Sequence, residues 1–251
     1  MRTALVTGAS SGIGAACAEA FASRGWRLVL AARREERLAE VAGRCTARGA
    51  RVDAFTLDVR SRDAVERWSS EASSVLDEVD VLVNNAGLAR GFAAIHEGDQ
   101  DDWDEMLDTN VRGLLNVSRV MLPRFVARGG GDVVNIGSVA GRWTYPKGAV
   151  YCASKAAERA ITEGMRMDLN GTGIRVSTVD PGMTETEFSL VRFHGDDARA
   201  QAVYEGVTPL TGRDVAETIL WILERPAHVN VAEVVIFPTD QASPTIVKRR
   251  K

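Results

Sequence analysis

Short runs of apolar, β-branched residues alternate with longer segments whose apolar residues recur every three or four positions. The short runs predict buried strands, and the longer segments predict amphipathic helices. Their strict alternation is typical of a parallel sheet with helices on both faces. The pattern therefore predicts an α/β fold of Rossmann type, a doubly wound seven-stranded parallel sheet in a three-layer α/β/α sandwich. The predicted strands are Thr3–Thr7, Arg27–Ala32, Arg51–Leu57, Val79–Asn84, Asp132–Ile136, Arg175–Val179 and Glu233–Phe237.

Helical segments fill the intervals between these strands. Residues 129–131, three glycines in a row, end the fourth predicted helix. Residues 181–209 form the one long irregular stretch, which is expected to be a lid or a substrate-specificity segment. No repeat or linker divides the chain, so residues 1–251 are expected to form one domain. The clearest predicted helices are Gly12–Arg24, Arg34–Ala47, Arg62–Leu76, Asp102–Arg128, Tyr151–Leu169 and Arg213–Glu224.

The charge balance is close to neutral. Lys and Arg together number 31 and Asp and Glu number 34, which gives a net charge of −3. This balance favours neither a nucleic acid nor an anionic membrane as partner, so small molecules are the expected partners. No apolar run reaches the length of about 18 residues that a membrane helix requires. The basic residues 248–251 are expected to form a solvated tail.

Cysteine and histidine usage limits the chemistry further. Cys17, Cys45 and Cys152 are odd in number and widely spaced, and no signal-peptide pattern precedes Leu5. A reducing, cytoplasmic location is therefore expected. The three histidines are not at ligand spacing from one another or from a cysteine, so no metal site is expected.

The first strand leads into a glycine-rich turn and then into a helix. Glycines at these positions let the backbone turn tightly and approach a pyrophosphate, which the amide groups of the helix N-terminus then bind. The spacing is G-x-x-x-G-x-G, and its strand-turn-helix context favours a dinucleotide site over a plain turn. The turn reads Thr7-Gly8-Ala9-Ser10-Ser11-Gly12-Ile13-Gly14.

The end of the second strand indicates which dinucleotide binds. NAD sites usually carry a carboxylate there, which binds the adenosine ribose. Here the strand ends with Arg33 and Arg34, whose guanidinium groups suit a ribose 2′-phosphate. NADP(H) is therefore the expected cofactor. The alternative is that the two arginines only begin a charged helix with Glu35 and Glu36.

Tyr151 and Lys155 lie four positions apart at the start of a predicted helix, and residues with this spacing share a face. A free phenol titrates near pH ~10 and is a poor acid–base catalyst at neutral pH. A fixed ammonium nearby favours the phenolate. Tyr151 is therefore a candidate catalytic acid and base. The same spacing also occurs in simple surface contacts, so the neighbouring motifs must show whether this pair is catalytic.

Two neighbouring strands end in polar residues. Ser138 follows the fifth strand, and residues 84–87 (Asn-Asn-Ala-Gly) follow the fourth. Ligands of open α/β sheets bind at the carboxyl ends of the strands, so Ser138 is expected to bind the substrate oxygen. Asn110 stands in an otherwise apolar helical stretch and is a candidate relay residue. The alternative for each is a helix cap or a satisfied turn residue.

The order and spacing of these motifs resemble those of the short-chain dehydrogenase/reductase family along the whole chain. The resemblance implies that Tyr151 is the acid and base and that Lys155 binds the nicotinamide ribose. It also implies that Ser138 orients the substrate and that Asn110 holds a relay water. The motifs that carry it are Thr7–Gly14, Asn84–Gly87, Asn110, Ser138, Tyr151 with Lys155, and Asp180–Gly182.

The same resemblance implies further cofactor contacts. Asp58 and Val59 would line the adenine, and Asn85, Ala86 and Gly87 would border the adenosine ribose. The nicotinamide contacts would come from Pro181, Gly182, Met183, Thr184 and Thr186. The segment after Gly182 departs from the commoner family pattern, so Thr184 and Thr186 are both candidates for the contact with the carboxamide.

A finer resemblance points to NADP-dependent 3-hydroxy acid dehydrogenases, which oxidise serine and L-allo-threonine. It is carried by residues 84–89, 137–141, 186–193, 195–197 and 226–230. A short hydroxy acid has a carboxylate, which a guanidinium binds with two parallel hydrogen bonds. Arg192 is the first candidate and Arg142 the second, with Trp143 and Tyr145 as candidate walls of the pocket. The alternative is that these side chains only pack or face solvent.

Two other functions stay open at this point. One is a reductase of another aldehyde, such as a sulfonated aldehyde or an intermediate of specialised metabolism. The other is a non-catalytic NADPH-binding regulatory protein. Members of the family usually form tetramers, and small residues on the Tyr151 helix permit close helix approach, so a homotetramer is expected. These small residues are Ala153, Ala156, Ala157 and Ala160.

Overall fold

The computed structural model describes residues 1–250, and its main feature is one seven-stranded sheet. The strand order is β3-β2-β1-β4-β5-β6-β9, and every neighbouring pair is parallel. The short strands β7 and β8 pair with each other, as do β10 and β11. The strands are β1 Thr3–Thr7, β2 Arg27–Ala32, β3 Val52–Thr56, β4 Val81–Asn84, β5 Gly131–Ile136, β6 Ile174–Pro181, β7 Thr184–Glu185, β8 Leu210–Thr211, β9 Glu233–Ile236, β10 Gln241–Ser243 and β11 Ile246–Val247.

Helices cover both faces of the sheet. A π-helical turn, Asp108–Gly113, separates α5 from α6, and a 3-10 turn, Val139–Gly141, follows β5. The helices are α1 Gly12–Ala22, α2 Glu35–Thr46, α3 Arg62–Glu71, α4 Ser73–Leu76, α5 Gln100–Leu107, α6 Leu114–Arg128, α7 Ala149–Asp168, α8 Phe188–Arg192, α9 Asp197–Ala202 and α10 Gly212–Leu223.

Two apolar cores lie on opposite faces of the sheet. One core packs α1, α2 and α10 against it, around buried side chains such as Phe21, Leu28 and Ile219. The other packs α3, α4, α6 and the end of α7, around Leu82, Met121 and Phe125. Because both faces are covered, successive residues of the central strands are apolar without alternation. This arrangement confirms the predicted three-layer, doubly wound fold.

Several predicted boundaries need correction. The segment predicted as one helix, Asp102–Arg128, contains a π-helical turn, which binds Asn110 into the loop after β4. The predicted strand Arg175–Val179 extends to Pro181 because β9 continues to pair with it. The stretch 181–209 is not irregular throughout, since it contains β7, α8 and α9.

Residues 248–250 are exposed, as expected for a solvated tail, but Arg249 and Arg250 are bound to other parts of the chain. Arg250 forms an ion pair with Asp240, and its backbone N–H donates to the Gly206 carbonyl. Arg249 donates to the Val203 carbonyl at 3.1 Å. The basic residues 249–250 therefore lie against the segment that follows α9. None of the helices among residues 1–250 is long and apolar enough to cross a bilayer.

Gly137 lies where the sheet meets the crevice, and there is no space around it for a side chain. A Cβ at this position would overlap the buried Asp180 Oδ1 and lie 2.8 Å from Thr178 Oγ1. We therefore expect Gly137→Ala to lower the free energy of unfolding by about 2 kcal/mol, as for an overpacked core site. Gly164→Ala in α7 is the control, because no atom lies within 4 Å of its added Cβ. That control should raise stability by up to about 1 kcal/mol. Equal urea-unfolding curves for both variants would contradict this account.

Candidate active site

A crevice of about 710 Å³ opens at the carboxyl ends of β1 to β6. Most of the residues singled out in the sequence line it. From the glycine turn and the following strands these are Gly8, Ser10, Ser11, Gly12, Ile13, Arg33, Arg34, Asp58, Val59, Asn85, Ala86 and Gly87. From the second half of the chain they are Ser138, Tyr145, Tyr151, Lys155, Pro181, Gly182, Met183, Thr184, Thr186 and Arg192.

The glycine turn has the backbone that a phosphate cradle needs. Gly8 and Gly12 adopt the left-handed region, with φ of +64° and +54°, which favours glycine. A Cβ on Gly14 would overlap the Gly8 carbonyl and the Asn85 amide, so the third glycine permits close packing of the turn. Gly14 itself lies behind the crevice wall. The N-cap residue of α1, Ser11, uses no side-chain oxygen to cap the helix, so its first amides have no side-chain acceptor there.

Asn85 fixes this turn to the end of β4. Its side-chain amide donates to the carbonyls of Thr7 at 2.9 Å and Gly8 at 3.2 Å. Its backbone N–H donates to Thr7 Oγ1 at 3.0 Å. Asn85 therefore shapes the turn through its side chain as well as bordering the crevice.

Basic side chains gather at the β2 end of the crevice. Arg34 donates to Ser11 Oγ at 2.7 Å and to Glu187 Oε2 at 2.8 Å. Arg33 lies 3.4 Å from Glu105. Both arginine side chains are 43% exposed, so they can still reach a bound anion.

Asp58 lies at the same end of the crevice. Burial alone raises the pKa of its carboxyl, but hydrogen bonds from Arg60 hold that pKa below its ordinary value. Asp58 Oδ1 accepts from the backbone N–H and from Nε of Arg60, each at 3.0 Å. The carboxylate is therefore ionised and fixed in position.

Tyr151 and Lys155 lie on the crevice side of the first turns of α7. Lys155 Nζ donates to the Ile136 carbonyl at 2.7 Å and to Glu158 Oε2 at 2.7 Å. The bond to Ile136 ties α7 to the end of β5, where Ser138 follows two residues later. Ser138 Oγ accepts from the Ala140 N–H at 3.1 Å, which leaves its hydroxyl hydrogen free to donate.

Asn110 is buried in the π-helical turn beside this group, outside the lining of the crevice. Its amide hydrogens go to the Leu88 carbonyl at 2.8 Å and to Ser154 Oγ at 3.0 Å. Its Oδ1 accepts from the Leu88 N–H at 2.8 Å. Both amide hydrogens are used within the protein, so the side chain joins the π-helical turn, the loop after β4 and α7. The relay water that the resemblance implied stays a prediction.

Arg192 lies among aromatic rings at the other end of the crevice. Its Cζ is 5.0 Å from the ring centroid of Tyr151, 5.2 Å from that of Phe188 and 6.0 Å from that of Phe92. Its Nη2 donates to the hydroxyl of Tyr145 at 2.6 Å. Burial raises the pKa of Tyr145 to about 12, so that hydroxyl stays neutral. Arg192 Nε is buried without a partner, and no carboxylate among residues 1–250 pairs with this guanidinium.

Two of the side chains predicted to contact substrate lie elsewhere. Arg142 donates to Asp180 Oδ2 at 2.6 Å and also pairs with Glu233, so its guanidinium is already neutralised away from the crevice. Trp143 is 47% exposed and packs against Phe237. The sequence suggested both residues because they lie between Ser138 and Tyr151, but neither side chain lines the crevice.

Sequence reasoning missed several lining residues. Arg90 lines the crevice and donates to Glu105 Oε2 at 2.6 Å. Phe188 meets the Tyr151 ring edge to face, with centroids 5.5 Å apart. Other missed lining residues are Phe92, Tyr204 and Arg249. No local motif marks these positions. The aromatic residues of the 181–209 segment, Phe188 among them, are the one signal that could have suggested an apolar wall.

The two candidate threonines occupy different places. Thr184 Oγ1 donates to the Gly182 carbonyl at 3.1 Å. Thr186 Oγ1 accepts from the Phe188 N–H at 3.2 Å, and its Cβ would lie 3.3 Å from a Cβ added to Gly12. Thr186 therefore lies against the glycine turn, and both side chains line the crevice.

Comparisons with known proteins agree with this geometry. The family model described as short chain dehydrogenase matches residues 2–195. Sulfoacetaldehyde reductase 2 of Chromohalobacter salexigens is 48% identical over 95% of this chain and 94% of that protein. The NADP-dependent 3-hydroxy acid dehydrogenase YdfG of Salmonella typhi is 42% identical over 95% of each chain.

A solved structure supports the same assignment. The closed form of a serine dehydrogenase complexed with NADP+ superposes with a TM-score of 0.92 at 39% identity, covering 99% of this chain and 100% of the other. The predicted family resemblance is confirmed, and the chain belongs to the short chain dehydrogenase family of oxidoreductases.

Proposed function

We propose that the protein is an NADP(H)-dependent oxidoreductase that transfers hydride between the nicotinamide and the carbinol carbon of a small 3-hydroxy acid. Serine, L-allo-threonine and 3-hydroxypropionate represent this class. The observation that carries the substrate assignment is Arg192, a guanidinium without a carboxylate partner among residues 1–250, placed 5.0 Å from the Tyr151 ring.

The residues at the β1 and β2 ends fit the cofactor. The left-handed glycines and the open N-terminus of α1 suit a pyrophosphate. Arg33 and Arg34, half exposed at the end of β2, suit a 2′-phosphate. The names of the 42% identical dehydrogenase and the serine dehydrogenase complex, both NADP-linked, support the same cofactor. When bound, NADPH supplies the hydride for reduction.

Protein residues supply the proton and the positioning. In reduction, the Tyr151 hydroxyl gives its proton to the carbonyl oxygen as the new C–H bond forms, and in oxidation it takes the proton back. Ser138 donates a hydrogen bond to the same oxygen and so fixes the reacting carbon. The Lys155 ammonium lies on the same helix face and stabilises the phenolate left by proton transfer.

Arg192 fixes the other end of the substrate. A carboxylate there can accept two parallel hydrogen bonds from the guanidinium. The aromatic rings of Phe92, Tyr145 and Phe188 exclude water and strengthen that interaction. This arrangement would orient a short anionic substrate with its carbinol carbon towards Tyr151.

A sulfonated aldehyde is the second candidate substrate. The relative with 48% identity is named a sulfoacetaldehyde reductase, and a sulfonate accepts the same guanidinium hydrogen bonds as a carboxylate. Both candidates share the anion site at Arg192 and differ in the reacting carbon and in the size of the anion.

We also propose that residues 1–251 form one cytoplasmic domain that assembles as a homotetramer. The single sheet joining β1 to β9 supports one domain. Exposed apolar side chains on α6 and α7, such as Leu115, Val126 and Met167, support an assembly through these helices.

Loss of the proposed proton donor should abolish turnover. Tyr151→Phe is expected to lower kcat by at least about a thousandfold, in the range of general acid–base catalysis, while leaving NADPH binding close to wild type. Absorbance at 340 nm measures turnover, and fluorescence of the bound reduced nicotinamide measures binding. The control is Trp221→Phe, an exposed aromatic side chain on α10 that lies outside the crevice lining, and it should retain most activity. Substantial turnover by Tyr151→Phe would refute the assignment.

The arginines at the end of β2 should set cofactor preference. We expect Arg33→Asp to lower the ratio of kcat/KM for NADPH over NADH by about a hundredfold, because a 2′-phosphate then faces a carboxylate. Arg44→Asp makes the same charge change on α2, where Arg44 pairs with Glu19, and should leave the ratio within about threefold. The same ratio in both variants would overturn the assignment.

The anion site can be tested by pairing charged and uncharged substrates. Arg192→Gln is expected to lower kcat/KM for 3-hydroxypropionate and for sulfoacetaldehyde by about a hundredfold, since charge-assisted hydrogen bonds are lost. Turnover of propanal, which has no anionic group, should change by less than about threefold. Arg199→Gln, on the exposed face of α9, is the control within the same segment. An equal loss for propanal would show that Arg192 acts on the fold and not on the anion.

A further inference from the structure

Lys155 has a buried counter-charge that the proposed reaction does not use. Glu158 is one turn further along α7, and its Oε2 accepts from Lys155 Nζ at 2.7 Å. The two side chains are 8% and 2% exposed. The other carboxylate oxygen of Glu158 is buried and has no hydrogen-bond partner among residues 1–250. An ionised carboxylate in such a place is costly unless an adjacent cation balances it.

The charges around this pair are few. Tyr151 faces Lys155 from the same helix, and Asp180 faces both Lys155 and Glu158 from β6. Asp180 is itself bonded to Arg142 and to the Thr178 hydroxyl, so its charge is largely compensated. Glu158 is therefore the acid that directly balances the ammonium next to Tyr151.

The protonation preferences agree with this geometry. Burial raises the pKa of Glu158 to about 7, although Lys155 opposes the rise. Burial by itself lowers the pKa of Lys155, but the Glu158 carboxylate and the other acids around it raise that pKa above its ordinary value. Above neutral pH the pair is therefore an ammonium and a carboxylate, and it presents less net positive charge to its surroundings than the ammonium alone.

We propose that Glu158 is a positioning residue: its carboxylate fixes the Lys155 ammonium beside the Ile136 carbonyl and offsets part of the positive charge that reaches Tyr151. This proposal rests on the proposed roles of Tyr151 and Lys155. Two of the three Lys155 N–H donors are occupied by Ile136 and Glu158, so one remains for the ribose side of the crevice. Neutralising Glu158 would leave a stronger field on the phenol, which would then lose its proton at lower pH.

The charge offset can be measured on the protein without turnover. The chain has three tyrosines, and ionisation of each is visible as tyrosinate absorbance near 295 nm. Burial raises the pKa of Tyr145 to about 12 and also raises that of Tyr204, which separates those two phenols from an earlier ionisation step. Loss of the first step in Tyr151→Phe assigns it. In Glu158→Gln we expect the midpoint of that step to move about one unit to lower pH, and the acid limb of kcat/KM for oxidation to move with it.

Matched variants separate charge from structure. Glu158→Asp keeps the charge and should keep both midpoints close to wild type. Glu163 lies on the same helix, and its side chain has no hydrogen bond or ion pair to residues 1–250, so Glu163→Gln should shift neither midpoint. If the glutamine variant does not fold, Glu158→Met provides a second neutral side chain of similar length.

The outcomes distinguish this proposal from the function it rests on. If Glu158→Gln lowers activity at every pH and leaves both midpoints in place, or moves them upward, the charge offset is refuted and Glu158 is only structural. If Tyr151→Phe keeps both the first ionisation step and the activity, the proposed role of Tyr151 fails instead. A downward shift in Glu158→Gln that Glu158→Asp reverses supports the proposal.

Discussion

A buried ammonium requires hydrogen-bond acceptors, and in this crevice the ammonium of Lys155 has two of them. Lys155 is almost fully enclosed, so its charge is stable only because the Ile136 carbonyl and the Glu158 carboxylate accept its hydrogen bonds. The Ile136 contact ties α7 to the end of β5, and the Glu158 contact, within α7, balances the charge. Ser138 and Tyr151 are thereby brought to the same crevice from different elements.

The rest of the crevice follows from the parallel sheet. Carboxyl ends of parallel strands open at one edge, and each loop that leaves this edge contributes a side chain. The Asn110 side chain reinforces the arrangement by bonding the π-helical turn to Leu88 and Ser154. These hydrogen bonds stabilise the π-helical turn, which interrupts the regular α-helical geometry between β4 and β5 beside the site.

The segment between β6 and α10 links the two ends of the crevice. Glu187 pairs with Arg34 at the cofactor end, and five residues later Arg192 lies against the Tyr151 ring. Phe188 covers the same ring from the side. One short stretch of chain therefore touches the basic group at β2 and the proposed catalytic phenol, so its position affects both.

Local signals in the sequence determined the fold class, the glycine turn and the Tyr151–Lys155 pair. They did so because hydrophobic periodicity, glycine freedom and helical spacing act over a few residues. Sequence order could not decide that Arg142 pairs with Asp180 and Glu233, while Arg192 is left without a carboxylate partner among the described residues. The Glu158 contact with Lys155 is a similar case, since a three-residue spacing is common and only burial gives it significance. Which charges meet, and which are left to bind a ligand, depends on how distant strands and loops pack, and only the tertiary structure determines that.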